Sequence, residues 1–194
     1  QRLLKETEQR AAELAIINSV QEGLASKLDM QAIFDLVGDK IQSMFNAQSV
    51  IISSFDHEKQ VSRLDYAFEN GERVFDDELL SFSPMNIHLI STRQPVVINE
   101  NASEATKQYG LKTIEGTQEP KSLIYVPFGT GVQVNGYFSL QNFDRENAFA
   151  ESDVRLLQTL AGSMGIALEN ARLFNAEQQR AAELGAISTV TQAL

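Results

Sequence analysis

The chain reads as an α+β domain, an antiparallel sheet flanked by helices, with a long helix at each end. Three observations carry this. Runs of β-forming residues sit in adjacent pairs joined by turn residues, the pattern of hairpins. Apolar residues at three- and four-residue spacing bracket those hairpins at both ends, the pattern of helices. One helical phrase also occurs twice: Gln9-Arg10-Ala11-Ala12-Glu13-Leu14 returns as Gln179-Arg180-Ala181-Ala182-Glu183-Leu184, 170 residues later. The match extends through Arg2-Leu3 with Arg172-Leu173, and through Ile17, Val20 and Leu24 with Ile187, Val190 and Leu194. A repeated connector around an unrepeated body is what one unit of a tandem array would present. The expectation is a linker helix over 1–24, a domain over 25–172, and the start of the next connector over 173–194.

The first helix is expected over residues 2–24, with Leu4, Ala11, Leu14, Ile17, Val20 and Leu24 along one stripe. Asp29 is placed to cap a second helix, whose broad apolar face is Ile33, Phe34, Val37, Ile41, Met44 and Phe45. Ser49 to Asp56 and Gln60 to Glu69 read as a hairpin through His57-Glu58-Lys59. In the second strand Leu64, Tyr66 and Phe68 are expected on one face, and Asn70-Gly71 is a strong turn signal. A short helix is expected over Asn86 to Thr92, a strand over Pro95 to Ile98, and a helix over Asn101 to Tyr109 capped by Asn101 or Ser103. Gly110 to Pro120 is polar and reads as a loop. Ser122 to Phe128 and Val132 to Asn142 form a second hairpin, with Asn135-Gly136 marking a bulge or kink and Pro127 favouring an edge or bulge. From Ala150 the pattern is helical to the end, with Val154, Leu157, Ala161, Met164, Leu168 and Ala171 forming an a/d seam. Gly162 and Gly165 each cost a helix about 1 kcal/mol relative to Ala, so close approach by another backbone is the physical reason to keep them.

Composition narrows function. With 26 acidic and 16 basic residues among 194, the formal charge is −10. Nucleic acid and anionic membrane surfaces both require a positive face, so neither is an expected partner. No apolar run approaches the roughly 20 residues that span a bilayer. There is no cysteine, which excludes disulfides, thiolate metal sites and cysteine nucleophiles, and is compatible with a reducing, cytoplasmic setting. The two histidines, His57 and His88, cannot make a histidine-rich metal site alone. Gly129-Thr130-Gly131 lacks the spacing and lysine of a phosphate loop. Asp76, Asp77 and Glu78 read as a solvated acidic loop. No catalytic residue, metal or cofactor is expected.

Several segments, in order, resemble the bacterial GAF domain. They are Asp29-Met30, Ile33-Phe34, Leu36-Val37, Val50 to Asp56, Ser122 to Phe128, Ser139-Leu140-Gln141-Asn142, Phe149, Asp153, Leu156 to Ser163 and Ala167 to Leu173. Together they cover about residues 25–172. The repeated phrase is similar to the signalling helices that join such domains to each other or to an output domain. The resemblance implies a fold like that of PAS domains, with about six antiparallel strands, helices on the back, and a pocket between the front of the sheet and the short middle helices. It also implies a regulatory role upstream of a histidine kinase or nucleotide cyclase.

By the same resemblance, the sheet side of the pocket would include Ile51 and Phe68, with Glu69 at the rim. Its helix side would include Met85, Asn86 and His88, and its lid would run near Tyr109 to Thr113. The plainer alternative is that Phe68 and Met85 fill core, that His88 is a packed residue, and that His57 is exposed in its turn. Cyclic-nucleotide-binding members carry a spaced signature that this chain matches at Asn142, Phe149 and Asp153 but breaks at Phe143 and Val154. Members that reduce methionine sulfoxide or attach a bilin depend on cysteine, which this chain lacks. The expected function is therefore a sensor domain that binds a small molecule. It would form a parallel homodimer through its end helices, with Leu4, Leu14 and Leu24 at one end and Ala181, Leu184, Ile187 and Val190 at the other. The alternatives are a ligand-free spacer and a cyclic-nucleotide sensor.

Overall fold

The computed structural model describes residues 2–26, 29–45, 47–111 and 118–192, with the backbone alone described at 2–6, 8–9 and 185–192. Helix α1 (Arg2–Ala25) leads into α2 (Met30–Phe45), then strands β1 (Ser49–Asp56), β2 (Val61–Glu69), β3 (Glu72–Val74) and β4 (Leu79–Ser81). Helix α3 (Pro84–Thr92), β5 (Val96–Ile98) and α4 (Ala102–Ala105) follow, with a 3-10 turn at Thr106–Tyr109. The hairpin β6 (Ser122–Thr130) and β7 (Gln133–Asn142) precedes α5 (Glu151–Gln192).

The seven strands form one antiparallel sheet in the order β3-β2-β1-β7-β6-β5, with β4 pairing the other end of β2. The outer edge of β2 is thus split, Ala67 to Glu69 against β3 and Val61 to Arg63 against β4. Asn70 and Gly71 both take positive φ (49° and 94°), which closes the β2–β3 hairpin tightly. The expected β1–β2 hairpin forms, but its register shifts between Ile52 and Ser53, opposite Tyr66 and Leu64, and leaves Asp65 as an extra residue. That bulge interrupts the alternation expected to carry Leu64, Tyr66 and Phe68 on one face. The second register shift falls at Phe128/Gly129, where Asn135 is the extra residue, at the site marked by Asn135-Gly136. Pro127 lies in β6 beyond the reach of β5, which pairs only Leu123 to Tyr125, so its missing N–H breaks no ladder on that side.

Cross-strand partners share a face. Val50, Ile52, Phe138, Leu140, Ile124 and Val126 all point to the back, where α2 and α5 bury them completely. Each such side chain contributes about 1.5–3 kcal/mol by leaving water. Asp29 caps α2 as expected, its Oδ1 accepting from Gln31 N at 2.8 Å. Tyr66 closes this core beside Gly38, where a Cβ would strike its ring at 2.4 Å. The Tyr66 hydroxyl donates to Asp39 at 2.8 Å, and the Arg73 guanidinium lies 3.8 Å over its ring.

The apolar seam of α5 faces the domain's own sheet. Leu157, Leu160, Ala161, Met164, Ala167 and Ala171 are buried in the main core, with Val154 and Leu168 packed at its margin. Gly165 is required by close approach, since a Cβ there would meet the Gly129 carbonyl oxygen at 2.4 Å. Gly162 is not, because a Cβ there would meet nothing within 4 Å. Val20 and Leu24 of α1 also lie in the core. Leu24 therefore cannot serve in a helix pair with a second copy, whereas Leu14 is exposed. Beyond Ala171, residues 172–184 of α5 are exposed apart from half-buried Ala176. No helix among the described residues is long and apolar enough to cross a membrane.

Candidate ligand-binding site

The front of the sheet carries two rows that run across four strands. Glu69, Ser49, Gln141 and Leu123 form one row, and Ala67, Ile51, Ser139 and Tyr125 form the next. Along β7 the alternation is plain: apolar Phe138 and Leu140 point back, and polar Tyr137, Ser139 and Gln141 point forward. A second apolar cluster covers part of this front, joining Met85 and Leu89 of α3 to Val96, Ile98, Ala102, Leu123 and Tyr125. Ser83 caps α3, its hydroxyl accepting from Asn86 N at 3.2 Å, with Pro84 supplying the first helical residue.

Beside this cluster lies a cavity of about 190 Å³. Its floor is Ser49, Ile51, Glu69, Leu123, Tyr125 and Gln141; its walls are Ala102, Ser103, Thr106, Leu111 and Phe143; Gln118, Glu119 and Pro120 close one side. Burial pushes the Tyr125 hydroxyl above its ordinary pKa, against a smaller opposing pull from the Ser139 hydroxyl. Burial also raises Tyr137, helped by Tyr125 and opposed by Ser53. Both phenols are thus neutral donors at neutral pH. Ser139, the source of the opposing pull on Tyr125, is 1% exposed.

Of the expected site residues, Ile51 and Glu69 line the cavity. Phe68 does not: it pairs with Val50, so strand alternation turns it to the back, where it packs against the main core. Met85 fills the front cluster instead of facing the cavity. Asn86 is buried at the start of α3, where its Oδ1 accepts from the Ser83 hydroxyl at 2.9 Å. His88 stacks edge-on against Tyr109 at 5.1 Å, and both stand outside the lining. Thr113 lies outside the described residues. His57, expected in solvent, is half-buried against the rings of Phe55 and Phe82, with its Nε2 2.7 Å from the Val134 carbonyl oxygen. The lining at Ser49, Tyr125, Gln141 and Phe143 was not expected, although the polar positions alternating along β7 are its sequence signal.

The residues shared with the cyclic-nucleotide signature have structural work. Asn142 Oδ1 accepts from the amides of Asp144 and Arg145, which shapes the turn after β7. Phe149 is buried, and both its backbone polar groups are held by the Asn99 side chain. Asp153 Oδ2 accepts from Ala150 N at 2.8 Å and so caps the start of α5. Among the described residues no cluster of His, Asp and Glu could hold a metal ion. A larger, more open hollow of about 650 Å³ lies where Asp29 and Phe34 approach the β2 bulge at Arg63 and Asp65.

A family model for the GAF domain matches residues 27–169. Solved structures are similar in fold at low identity. One is residues 122 to 287 of a methyl-accepting chemotaxis protein (TM-score 0.69, 16% identity, covering 81% of this chain and 99% of that one). Another is free methionine-R-sulfoxide reductase from Neisseria meningitidis in complex with its substrate (0.67, 15%, 85% and 93%). A third is the GAF domain of an Acinetobacter phosphoenolpyruvate-protein phosphotransferase (0.65, 16%, 84% and 95%). Among curated proteins, none matches.

Proposed function

The chain belongs to the GAF domain family, and from that premise we propose that it is a sensor module, non-catalytic itself, that binds a small molecule at the front of the sheet and passes the event to α5. One observation carries this. The cavity and the exit helix are linked through one strand, since Tyr125 of β6 lines the cavity and Gly129 of the same strand touches Gly165 of α5. A ligand that favours one position of β6 would bias the angle or rotation of α5, provided its affinity differs between the two positions. The exposed segment after Ala171 would then deliver the change to a neighbouring GAF or output domain, such as a histidine kinase or cyclase. The chemotaxis protein and the substrate-bound reductase of like fold support such a role, one by its signalling context and the other by its bound small molecule. The parallel dimer through the end helices belongs to the same proposal, with Leu14 and Leu184 exposed for it.

Native mass spectrometry of the freshly purified chain tests the reading. The expected result is a co-purifying small molecule that is lost on mild denaturation and whose return raises the melting temperature. Saturation to a hundredfold over Kd would add about 2.7 kcal/mol. An empty chain with no thermal response to a broad metabolite panel would instead identify a spacer.

A further inference from the structure

Resting on the sensor reading, we propose that His57 is a positioning residue that couples the cavity to the exit helix. A row of aromatic rings joins the cavity to His57, and the imidazole in turn holds the strand segment that sets the Gly129–Gly165 contact. The row starts at Tyr125, which lines the cavity. Between ring centroids, Tyr125 lies 5.6 Å from Tyr137, Tyr137 5.8 Å from Phe55, and Phe55 6.2 Å from His57. Phe82 backs the far end, 5.1 Å from Phe55 and 5.9 Å from His57. Each step falls within the roughly 4.5–7 Å at which aromatic pairs attract. The row therefore crosses from β6 through β7 and β1 to the turn that follows β1.

At that end the row is joined to backbone. His57 Nε2 lies 2.7 Å from the Val134 carbonyl oxygen, and a carbonyl only accepts, so Nε2 is the donor. Val134 pairs with Gly129 beside the β7 bulge. The segment around it has no slack. A Cβ on Gly129 would collide with the Gln133 carbonyl oxygen and stand 3.1 Å from the Asn135 nitrogen. A Cβ on Gly136 would collide with the Ser53 carbonyl oxygen and the Phe128 ring. Residues 133–136 are thus fitted against the backbone of β6 on one side and of β1 on the other. Gly129 in turn touches Gly165 of α5. A displacement of Val134 passes to Gly129 and on to α5, because close-packed backbone does not absorb it. A ring without a donor would pack beside Phe55 equally well; the N–H is what ties the row to the bulge.

The test uses the full chain and double-mutant cycles read by urea unfolding. His57→Phe keeps a ring in the row and removes the donor; His57→Leu takes its place if that variant does not fold. Combined with Gly165→Ala, it should depart from additivity by at least about twofold in the unfolding constant. Combined with Gly162→Ala, which faces open space, it should be additive. The cavity end is read from the amide NMR resonance of Gly165. Tyr125→Phe, which removes only the hydroxyl, should move that resonance in the parent chain and move it less in the His57→Phe background. An additive Gly165 cycle would overturn the role of His57. An equal Gly165 shift in both backgrounds would also overturn it, leaving β6 alone as the route and the sensor reading intact. No shift in either background would overturn it as well, and the co-purification experiment would then judge the sensor reading separately.

Discussion

Gly165 of α5 and Gly129 of β6 meet backbone to backbone. A Cβ on Gly165 would lie 2.4 Å from the Gly129 carbonyl oxygen and 3.1 Å from its carbonyl carbon. Backbone cannot swing aside as a side chain can, so this contact sets the distance between the exit helix and the strand that floors the cavity.

Gly165→Ala should therefore destabilise the domain by about 1–3 kcal/mol through overpacking. Gly162→Ala, three residues away and facing open space, should be neutral or stabilising by up to about 1 kcal/mol, as helix propensity dictates. Urea unfolding of the pair distinguishes them, and equal destabilisation would refute the contact.

Asn99 ties the loop before α5 to the end of β5. Its amide donates to the Phe149 carbonyl at 2.7 Å and accepts from the Phe149 amide at 3.2 Å. Asn99→Ala should cost about 1–3 kcal/mol, because two buried backbone groups lose their partner. Hydrogen exchange at the Phe149 amide should accelerate with it; unchanged exchange would count against this anchor.

Asp65 predicts a pH effect. Burial at the bulge raises its pKa above the ordinary 3.8, against weaker pulls from Ser54 and Arg63, and its Oδ2 has no partner. The folded chain then holds this proton more tightly than the unfolded chain. The stabilisation is fully present below the unfolded value and is lost as pH rises through the folded one. From about pH 4 upward, the urea midpoint of Asp65→Asn should fall less than that of the parent chain. Parallel pH profiles would show that the carboxylate is not desolvated.

The end helices predict oligomeric state. Leu14 and Leu184 are 59% and 68% exposed, and the parallel pairing proposed above would cover them. Light scattering should give a dimer for the full chain and a monomer for the double variant Leu14→Glu/Leu184→Glu. An unpaired parent chain at high concentration would sink the paired-helix proposal.

Much of the fold was legible because local rules agreed with the tertiary outcome. The limits of β1 came from a β-branched run, the α2 start from Asp29, the β2–β3 turn from Asn70-Gly71, and the β7 bulge from Asn135-Gly136. Strands β3 and β4 were not legible, since three residues are too few to show a period and each exists by pairing with β2. The cavity was half legible. Ile51 and Glu69 line it as expected, but Phe68 went to the back, because its face is set by pairing with Val50. The walls at Ala102 to Thr106 and at Gln118 to Pro120 come from segments without strong periodicity, whose positions depend on packing against the sheet.

The sequence by itself determined the α+β class, the hairpins, the helical ends and their repeated phrase, and the family, since each rests on residue order and near-neighbour chemistry. The absence of cysteine chemistry was equally settled there. Only the tertiary structure decided which face each strand shows, because pairing register and two single-residue bulges control that over long range. It also decided what the seam of α5 is for. A three-four apolar stripe serves a sheet or a second helix equally well, and the close contact of Gly165 with Gly129 commits that stripe to the sheet.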